Sequence, residues 1–562
     1  MGIHWLPRPD QGTQLRKTMT TTIMNTSPIP DLIQAGLASG WQVIDASALD
    51  ADRHFEADVA IIGTGAGGGV TAEILTMAGL KVLLIEEGPL KSSKDFKMRE
   101  AQAYPELYQE SAARKTWDKA INIMQGRSVG GSTTVNWTSS FRTPEATLHY
   151  WQKNFGLQDY APQALAPWFD QMERRLHVAP WAAAPNENND LLRRGAEKLG
   201  ISTAVIPRNV NGCWNLGYCG MGCPTNAKQS MLVTTIPAAL SHGAVLLTRT
   251  RAEKLNFKGD RVDSLSCVAI SADGLAPSGK TITVRARHYV VSGGAINSPG
   301  LLLRSNAPDP HRILGKRTFL HPVVLSAALY DHKVDSFSGA PQSIYSDHFL
   351  NTDAIDGPIG YKLEVPPLHP LLISATLGDF GEHHSNLMKR FAHLHAIIAL
   401  LRDGFHEQSA GGTVELRDDG SPVLDYPITD FVWDGVRRAL LTMADIQFAA
   451  GAKTVYPVHE MADGYTSWSS AKKAIEALPY KPLLARVVSA HVMGGCTMSD
   501  DTKFGVVSST GRYHGVSNLS VHDGSLFPTS IGANPQLSIY GITCRLASML
   551  AQQLTGKPAP VL

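Results

Sequence analysis

A mixed α/β fold, with a Rossmann-like nucleotide-binding domain and a second domain of antiparallel sheet and helices, is predicted by three observations. First, a short apolar strand at residues 59–62 runs directly into a glycine-rich turn, a small-residue helix and a second strand that ends on an acid. Second, 562 residues with 43% hydrophobic and 18% charged side chains can bury more than one ordinary core. Third, residues 413–426 read as a strand pair around Asp419-Gly420, and residues 431–450 as a helix ended by Gly451.

Residues 1–27 hold no apolar run of signal-peptide length, no twin-arginine pair and no small-residue cleavage pattern. Met19 and Met24 lie in a Thr/Asn/Ser/Pro-rich stretch, so residues 1–55 are expected to be an extension whose first ~28 residues are disordered or precede the true start. No segment reaches the ~18 apolar residues of a membrane span. The nearest approach, Leu394–Leu401, is short and contains His395. Lys+Arg 51 against Asp+Glu 50 leaves a net charge of +1, which argues against a nucleic-acid partner. Six cysteines are too few for a disulfide framework in this length and read as free thiols of a reducing compartment. The expected location is the cytoplasm, with attachment to the inner face of the membrane left open.

The nucleotide-binding unit is the strongest local signal. Gly63-Thr64-Gly65-Ala66-Gly67-Gly68 is a G-x-G-x-x-G between the strand at 59–62 and a helix at 70–78, with Gly79 placed to end it. Gly63 permits the tight turn, Gly65 lets backbone approach a pyrophosphate, and Gly68 lets helix and strand pack closely. The strand at 81–85 delivers Glu86 about 20 residues past the glycines, where it can accept hydrogen bonds from ribose hydroxyls. On these residues alone, NAD and FAD are equally served.

A second glycine cluster runs Gly126-Arg127-Ser128-Val129-Gly130-Gly131-Ser132-Thr133-Thr134-Val135-Asn136-Trp137. Physically it is a loop whose backbone N–H groups can meet a ligand closely. It resembles the flavin-contacting loop of the glucose–methanol–choline (GMC) oxidoreductases, which use FAD. Three further segments resemble that family in chain order: residues 289–299, Leu320-His321-Pro322, and residues 521–528 with Asp523-Gly524. The resemblance spans residues 58–552. It is closest to the long-chain fatty alcohol oxidases and dehydrogenases, on residues 136–144 and on Cys219-Gly220-Met221-Gly222-Cys223-Pro224-Thr225, with sterol- and polyol-oxidising members sharing parts of it.

The resemblance implies an FAD-binding domain assembled from residues 56–150, 205–330 and 486–562, and a substrate domain from 151–204 and 331–485. It implies cofactor contacts at Gly63, Gly65, Ala66, Gly68, Glu86, Gly126, Gly130, Gly131, Ser132, Asn136, Trp137, Asp523, Gly524, Pro535 and Gln536. It also implies hydride transfer from a primary, long-chain aliphatic alcohol to flavin N5, with a quinone, a cytochrome or O2 as electron acceptor. Between these, a dehydrogenase with a small membrane-associated partner subunit is favoured over a free oxidase. FAD-containing hydroxynitrile lyases and light-driven decarboxylases of related type are the alternatives.

Such an oxidation needs a base for the hydroxyl proton, and neutral imidazole suits it. His491 opens His491-Val492-Met493-Gly494-Gly495-Cys496-Thr497-Met498, which resembles the family's catalytic-histidine segment, with Gly495 standing where relatives carry Thr. Asn534 falls where the family places its second active-site residue. By the resemblance, His491 is the base and Asn534 holds the substrate oxygen. Asn534 followed by Pro535 also reads as a helix N-cap, a competing use for the same side chain. His321 reads as structural. His383, His384, His393 and His395 read as surface or packing residues of a helix with the stripe Leu387, Phe391, Leu394, Ile398 and Leu401. Cys213, Cys219 and Cys223 lack a fourth ligand at a recognised metal spacing, so no metal site is expected and they read as buried thiols. Cys496 reads as packing. Residues 345–377, rich in Pro, Leu, Ile and Tyr, read equally as pocket wall or core.

Overall fold

The computed structural model describes residues 29–378 and 380–562. The elements below belong to the compact unit Asp31–Leu562. The disorder expected near the start falls on residues outside those described.

One eight-stranded sheet is the predicted nucleotide-binding sheet. Its central strand β1 (Arg53–Ile62) is fully buried only over its last four residues, the continuous apolar run that marks a strand covered on both faces. Helix α1 (Ala66–Met77) follows, starting inside the glycine turn rather than at the first apolar residue. It can start there because the three residues after Ala66 are glycines with no side chains to accommodate. A Cβ on Gly67 would stand 1.6 Å from the His522 carbonyl oxygen, and one on Gly68 would stand 2.0 Å from that of Gly63. Strand β2 (Val82–Ile85) is wholly buried and pairs parallel to β1. Strand β3 (Pro277–Val291) pairs parallel on the other side of β1, and Leu519–Val521 continues parallel to β3. The C-terminal ends of these strands therefore lie side by side, bringing the turn at 63–68, residues 292–294 and Asp523 to one edge of the sheet. In open α/β sheets that edge is where ligands bind.

The second eight-stranded sheet is mostly antiparallel. Its middle is β4 (Val323–Leu329), β5 (Tyr361–Glu364) and β6 (Leu394–Leu401), which pairs with both β4 and β5, and helix α2 (Pro370–Thr376) follows β5 in the chain. Every residue of β4, β5 and β6 is buried. Helix α3 (Asp430–Ala449) covers one face, where Val324, Ile397, Ala399 and Leu401 meet Val436, Leu440 and Met443. The alternate residues Val323, Leu325, Ile398 and Leu400 line a cavity on the other face.

That alternation corrects the helix expected through Leu387–Leu401. The helix there ends at Lys389, and Leu394–Leu401 is a strand. With both faces buried, nearly every position is apolar. A 3.6-residue stripe can then be drawn through a strand whose own period of two is invisible. His383 and His384 do lie on the helix, whereas His395 is buried in the strand with its Nδ1 3.3 Å from Gln447 Nε2. The strand pair at Thr413–Leu416 and Pro422–Asp425 and the helix ended by Gly451 (φ +100°) are as expected. Helix α4 (Gln536–Thr555) packs on α1. Among the described residues no helix is long and apolar enough to cross a membrane.

Candidate active site

A cavity of about 730 Å³ runs from the glycine turn of the first sheet to the open face of the second. At the nucleotide end its wall is main chain. Gly63 sits at φ +99°, and a Cβ there would meet the Ser292 carbonyl oxygen at 2.3 Å. A Cβ on Gly65 would find nothing nearer than the Gly131 Cα at 3.9 Å and would project into the cavity. The N-terminus of α1 opens beside it with no side chain capping its first-turn amides, an arrangement suited to a pyrophosphate. Thr64 ties the two glycine loops together: its Oγ1 donates to Glu86 Oε2 (2.6 Å) and accepts from Gly130 N–H (3.0 Å).

Glu86 is buried and also accepts from the Thr64 and Gly88 amides, and burial raises its pKa above the ordinary carboxylate range. Asp523 is held in the same manner. It accepts from Gly294 N–H (2.8 Å) and Ser525 N–H (2.8 Å) and from the Ser298 and Ser525 hydroxyls, and burial again raises its pKa.

Most of the residues implied for cofactor contact line this cavity: Gly63, Gly65, Ala66, Glu86, Gly126, Gly131, Ser132, Asn136, Trp137, Asp523, Gly524, Pro535 and Gln536. Gly68 and Gly130 stand behind the wall. Gly68 is pressed on Gly63, and Gly130 takes a φ of +89° that turns the second loop. Asn136 donates through Nδ2 to Gln536 Oε1 at 2.6 Å, joining that loop to the start of α4.

His491 and Asn534 both line the cavity, with His491 half-buried and Asn534 buried. The capping alternative for Asn534 is overturned. Pro535 occupies the N-cap of α4, and the Asn534 side chain turns away from the helix to two residues of β5. Its Oδ1 accepts from Lys362 Nζ at 2.9 Å, and its Nδ2 donates to Glu364 Oε2 at 3.1 Å. Lys362 and Glu364 are themselves an ion pair at 2.9 Å, both fully buried. The Lys362 ammonium also lies over the Phe141 ring, 3.1 Å from its centroid. Gln342 Nε2 donates to Glu364 at 2.6 Å, completing the layer.

His321, read as structural from the sequence, touches His491: the two Nδ1 atoms are 3.3 Å apart. His321 Nε2 accepts from Gly532 N–H at 2.9 Å. Its backbone is left-handed (φ +45°) and is held by Asp403, whose carboxylate accepts from the Leu320 and His321 amides, both at 3.1 Å. Burial first, and then the Lys362 charge, push the His491 pKa down to about 3. Burial first, then the competing His491 ring and the charges of Lys362 and Arg402, hold His321 well below the ordinary imidazole range. Both rings are therefore neutral at pH 7.

Lys362 and Glu364 are hidden in the sequence because they sit inside a stretch, 345–377, that reads equally as pocket wall or core. Their signal was nevertheless present. In Tyr361-Lys362-Leu363-Glu364-Val365, a period of two puts two opposite charges on one face of a strand bounded by apolar residues. Within the same stretch Pro366, Pro367, Leu368, Leu372, Ile373 and Thr376 line the cavity, while Leu363 and Val365 belong to the core, so both uses hold. Cys213, Cys219 and Cys223 are half-buried rather than buried, whereas Cys496 is fully buried. Gly495 has a φ of +94°, and a Cβ there would stand 2.9 Å from Thr318 Oγ1, so glycine is what this loop's path requires.

Models of the GMC oxidoreductase family match residues 104–323 and 408–543. The long-chain-alcohol oxidase FAO1 of Arabidopsis thaliana is 27% identical over 89% of this chain and 67% of its own length. The uncharacterized GMC-type oxidoreductase Rv0492c of Mycobacterium tuberculosis is 30% identical over 90% of this chain and 78% of its own. Among solved structures, Aspergillus oryzae formate oxidase superposes with a TM-score of 0.64 at 14% identity, covering 90% of this chain and 99% of that one. Pyridoxine 4-oxidase superposes with a TM-score of 0.64 at 17% identity, covering 88% and 98%. These two likenesses establish the fold.

Proposed function

The chain belongs to the GMC oxidoreductase family, and from that premise we propose that it oxidises a primary, long-chain aliphatic alcohol to the aldehyde. The cofactor of the family is FAD, and the residues present fit it. The wall at Gly63, Gly65 and Gly131 has no side chains, the N-terminus of α1 is free of a side-chain cap, and buried carboxylates flank both. In this reading the turn at 63–68 and α1 hold the pyrophosphate, Glu86 the ribose, and the loop from Gly126 to Trp137 the flavin. Bound there, FAD supplies the acceptor for a hydride leaving the carbinol carbon.

The chain's own work is at the oxygen. Making an aldehyde removes a hydride from carbon and a proton from the hydroxyl. Asn534 holds the oxygen through an N–H of Nδ2, and His491 takes the proton on Nε2 when its own proton is on Nδ1. The start of α4, with Pro535 and Gln536 on the cavity wall, adds positive partial charge beside the reaction.

The observation that carries the substrate class is the apolar part of the wall of the cavity that His491 and Asn534 also line. Val323, Leu325, Ile398, Leu400, Val488, Leu368, Leu372 and Ile373 line it, with a proline pair at 366–367. An alkyl chain is the ligand such a wall desolvates at no polar cost. The long-chain-alcohol oxidases among the relatives point the same way. The test is anaerobic mixing of the FAD-loaded protein with 1-dodecanol. The flavin band should bleach, and admitting air, a quinone or a cytochrome then identifies the acceptor by which one restores the colour. An unbleached flavin with every alcohol class overturns the reading and moves weight to a lyase.

A further inference from the structure

Behind the two residues that meet the cavity lies a buried polar layer. We propose that this layer sets both of them as hydrogen-bond donors in the resting enzyme, so that the oxygen site also binds aliphatic carboxylates, with His321 the residue that positions the His491 proton. The proposal rests on the functional reading for where the substrate oxygen lies.

Some donors in this layer have no choice of role. Gly532 N–H can only donate, and it donates to His321 Nε2. A neutral His321 therefore carries its proton on Nδ1 and presents it to His491 Nδ1, 3.3 Å away. A neutral His491 that accepts on Nδ1 carries its own proton on Nε2, for which no described residue is a hydrogen-bond partner. The orientation of Asn534 is decided in the same way. An ammonium cannot accept and a carboxylate cannot donate, so Lys362 marks the Asn534 oxygen and Glu364 marks its nitrogen. The second N–H of that nitrogen remains for the cavity, which Asn534 lines.

Two N–H groups, one on each of two residues that line the cavity, are then left for a ligand, and the same cavity has an apolar wall. That is a site for an oxyanion with an alkyl tail. Proton uptake by His491 requires the opposite tautomer, in which the proton of His321 opposes Gly532 N–H and that buried amide loses its acceptor. His321 thereby controls the balance between the form that binds oxygen as a donor and the form that accepts the proton.

The test is titration of the FAD-loaded protein with dodecanoate, read by perturbation of the flavin band, in the wild type and in His321→Leu and His321→Asn. Dodecanoate should bind the wild type and compete with dodecanol. His321→Leu should weaken it by about tenfold at unchanged FAD content, the effect of one charge-assisted hydrogen bond. His321→Asn, which keeps a donor at the Nδ1 position, should restore most of the affinity. No binding to the wild type, or equal affinity in His321→Leu, overturns the proposal. If both variants lose FAD, neutron diffraction on the wild type decides. Deuterons on His321 Nδ1 and His491 Nε2 support the assignment, and one on His491 Nδ1 overturns it. Failure of dodecanol to bleach the flavin would refute the alcohol reading separately, since the titration and the neutron map need no turnover.

Discussion

At the nucleotide end of the cavity, main chain lies at the surface: Gly63 and Gly131 let neighbouring backbone close up, Gly65 leaves its place in the cavity free of a side chain, and the carboxylates of Glu86 and Asp523 are held by protein amides and hydroxyls. At the substrate end the surface is side chain. His491 and Asn534 face the cavity, and a second layer of His321, Lys362 and Glu364 holds them from behind. A backbone surface tolerates few residue types and forgives little in shape. A side-chain surface is shaped by charges that are costly to bury and that work only as a set. The two ends should therefore fail differently when altered.

The largest expected effect separates them outright. His491→Ala should lower the rate of anaerobic flavin bleaching by alcohol by about 10²–10⁴ while FAD content and melting temperature hold. Loss of FAD together with activity would show that the two ends are one structural unit and that the contrast is wrong.

Next in size is a change at the second layer. Lys362→Met leaves Glu364 buried without its cation, which should cost about 3–5 kcal/mol of stability in a denaturant titration. Lys362→Met with Glu364→Gln should recover most of that loss, because no charge is then stranded. An equal loss in the single and double variants would mean that packing against Phe141, not charge, is what Lys362 contributes.

This contrast also explains what could be read from the chain. The strand, glycine turn, helix and second strand around Gly63–Gly68 are legible because a main-chain surface demands glycine at fixed places. Gly68 and Gly130 keep their importance although they stand behind the wall, since one permits close packing and the other a positive φ. Of the polar groups at the substrate end, only His491 and Asn534, which line the cavity, were legible, and those through resemblance. His321, Lys362 and Glu364 meet their partners across sequence separations of about 170 residues, a distance over which no local pattern operates. The strand Leu394–Leu401 was misread for a related reason: burial on both faces erases the period that distinguishes a strand from a helix.

A smaller effect distinguishes two kinds of glycine within the nucleotide end. Gly68→Ala places a Cβ 2.0 Å from the Gly63 carbonyl oxygen and should destabilise the protein by about 1–3 kcal/mol, shedding FAD as the turn shifts. Gly65→Ala places its Cβ in the cavity. It should leave the melting temperature of the FAD-free protein unchanged and weaken FAD binding alone. Equal melting temperatures for the two variants would mean that the turn is more compliant than its spacing indicates.

The smallest effect expected is none, and it probes the substrate end most finely. An ordinary histidine base would give a rate that falls below pH ~6.5. Burial and the Lys362 charge push His491 down to about 3, so the bleaching rate should stay level from pH 8 to pH 5. Stability, by contrast, must fall over that range. Between pH ~6.5 and about 3 the unfolded chain binds a proton at His491 that the folded chain refuses, so this contribution is intact above ~6.5 and declines with acid. His395 and His522, fully buried and likewise pushed to about 3, add the same slope, roughly 1.4 kcal/mol per pH unit from each group. Any acid limb in activity should therefore coincide with unfolding, followed in parallel by melting temperature, and not with a titration of the active site. In Lys362→Met with Glu364→Gln the lesser of the two causes is gone and burial remains, so His491 should rise from about 3 yet stay below the ordinary histidine range. A limb near pH 6.5 in the wild type, at constant melting temperature, would instead show that His491 is solvated in the working enzyme and that the buried charge behind it does not govern its proton.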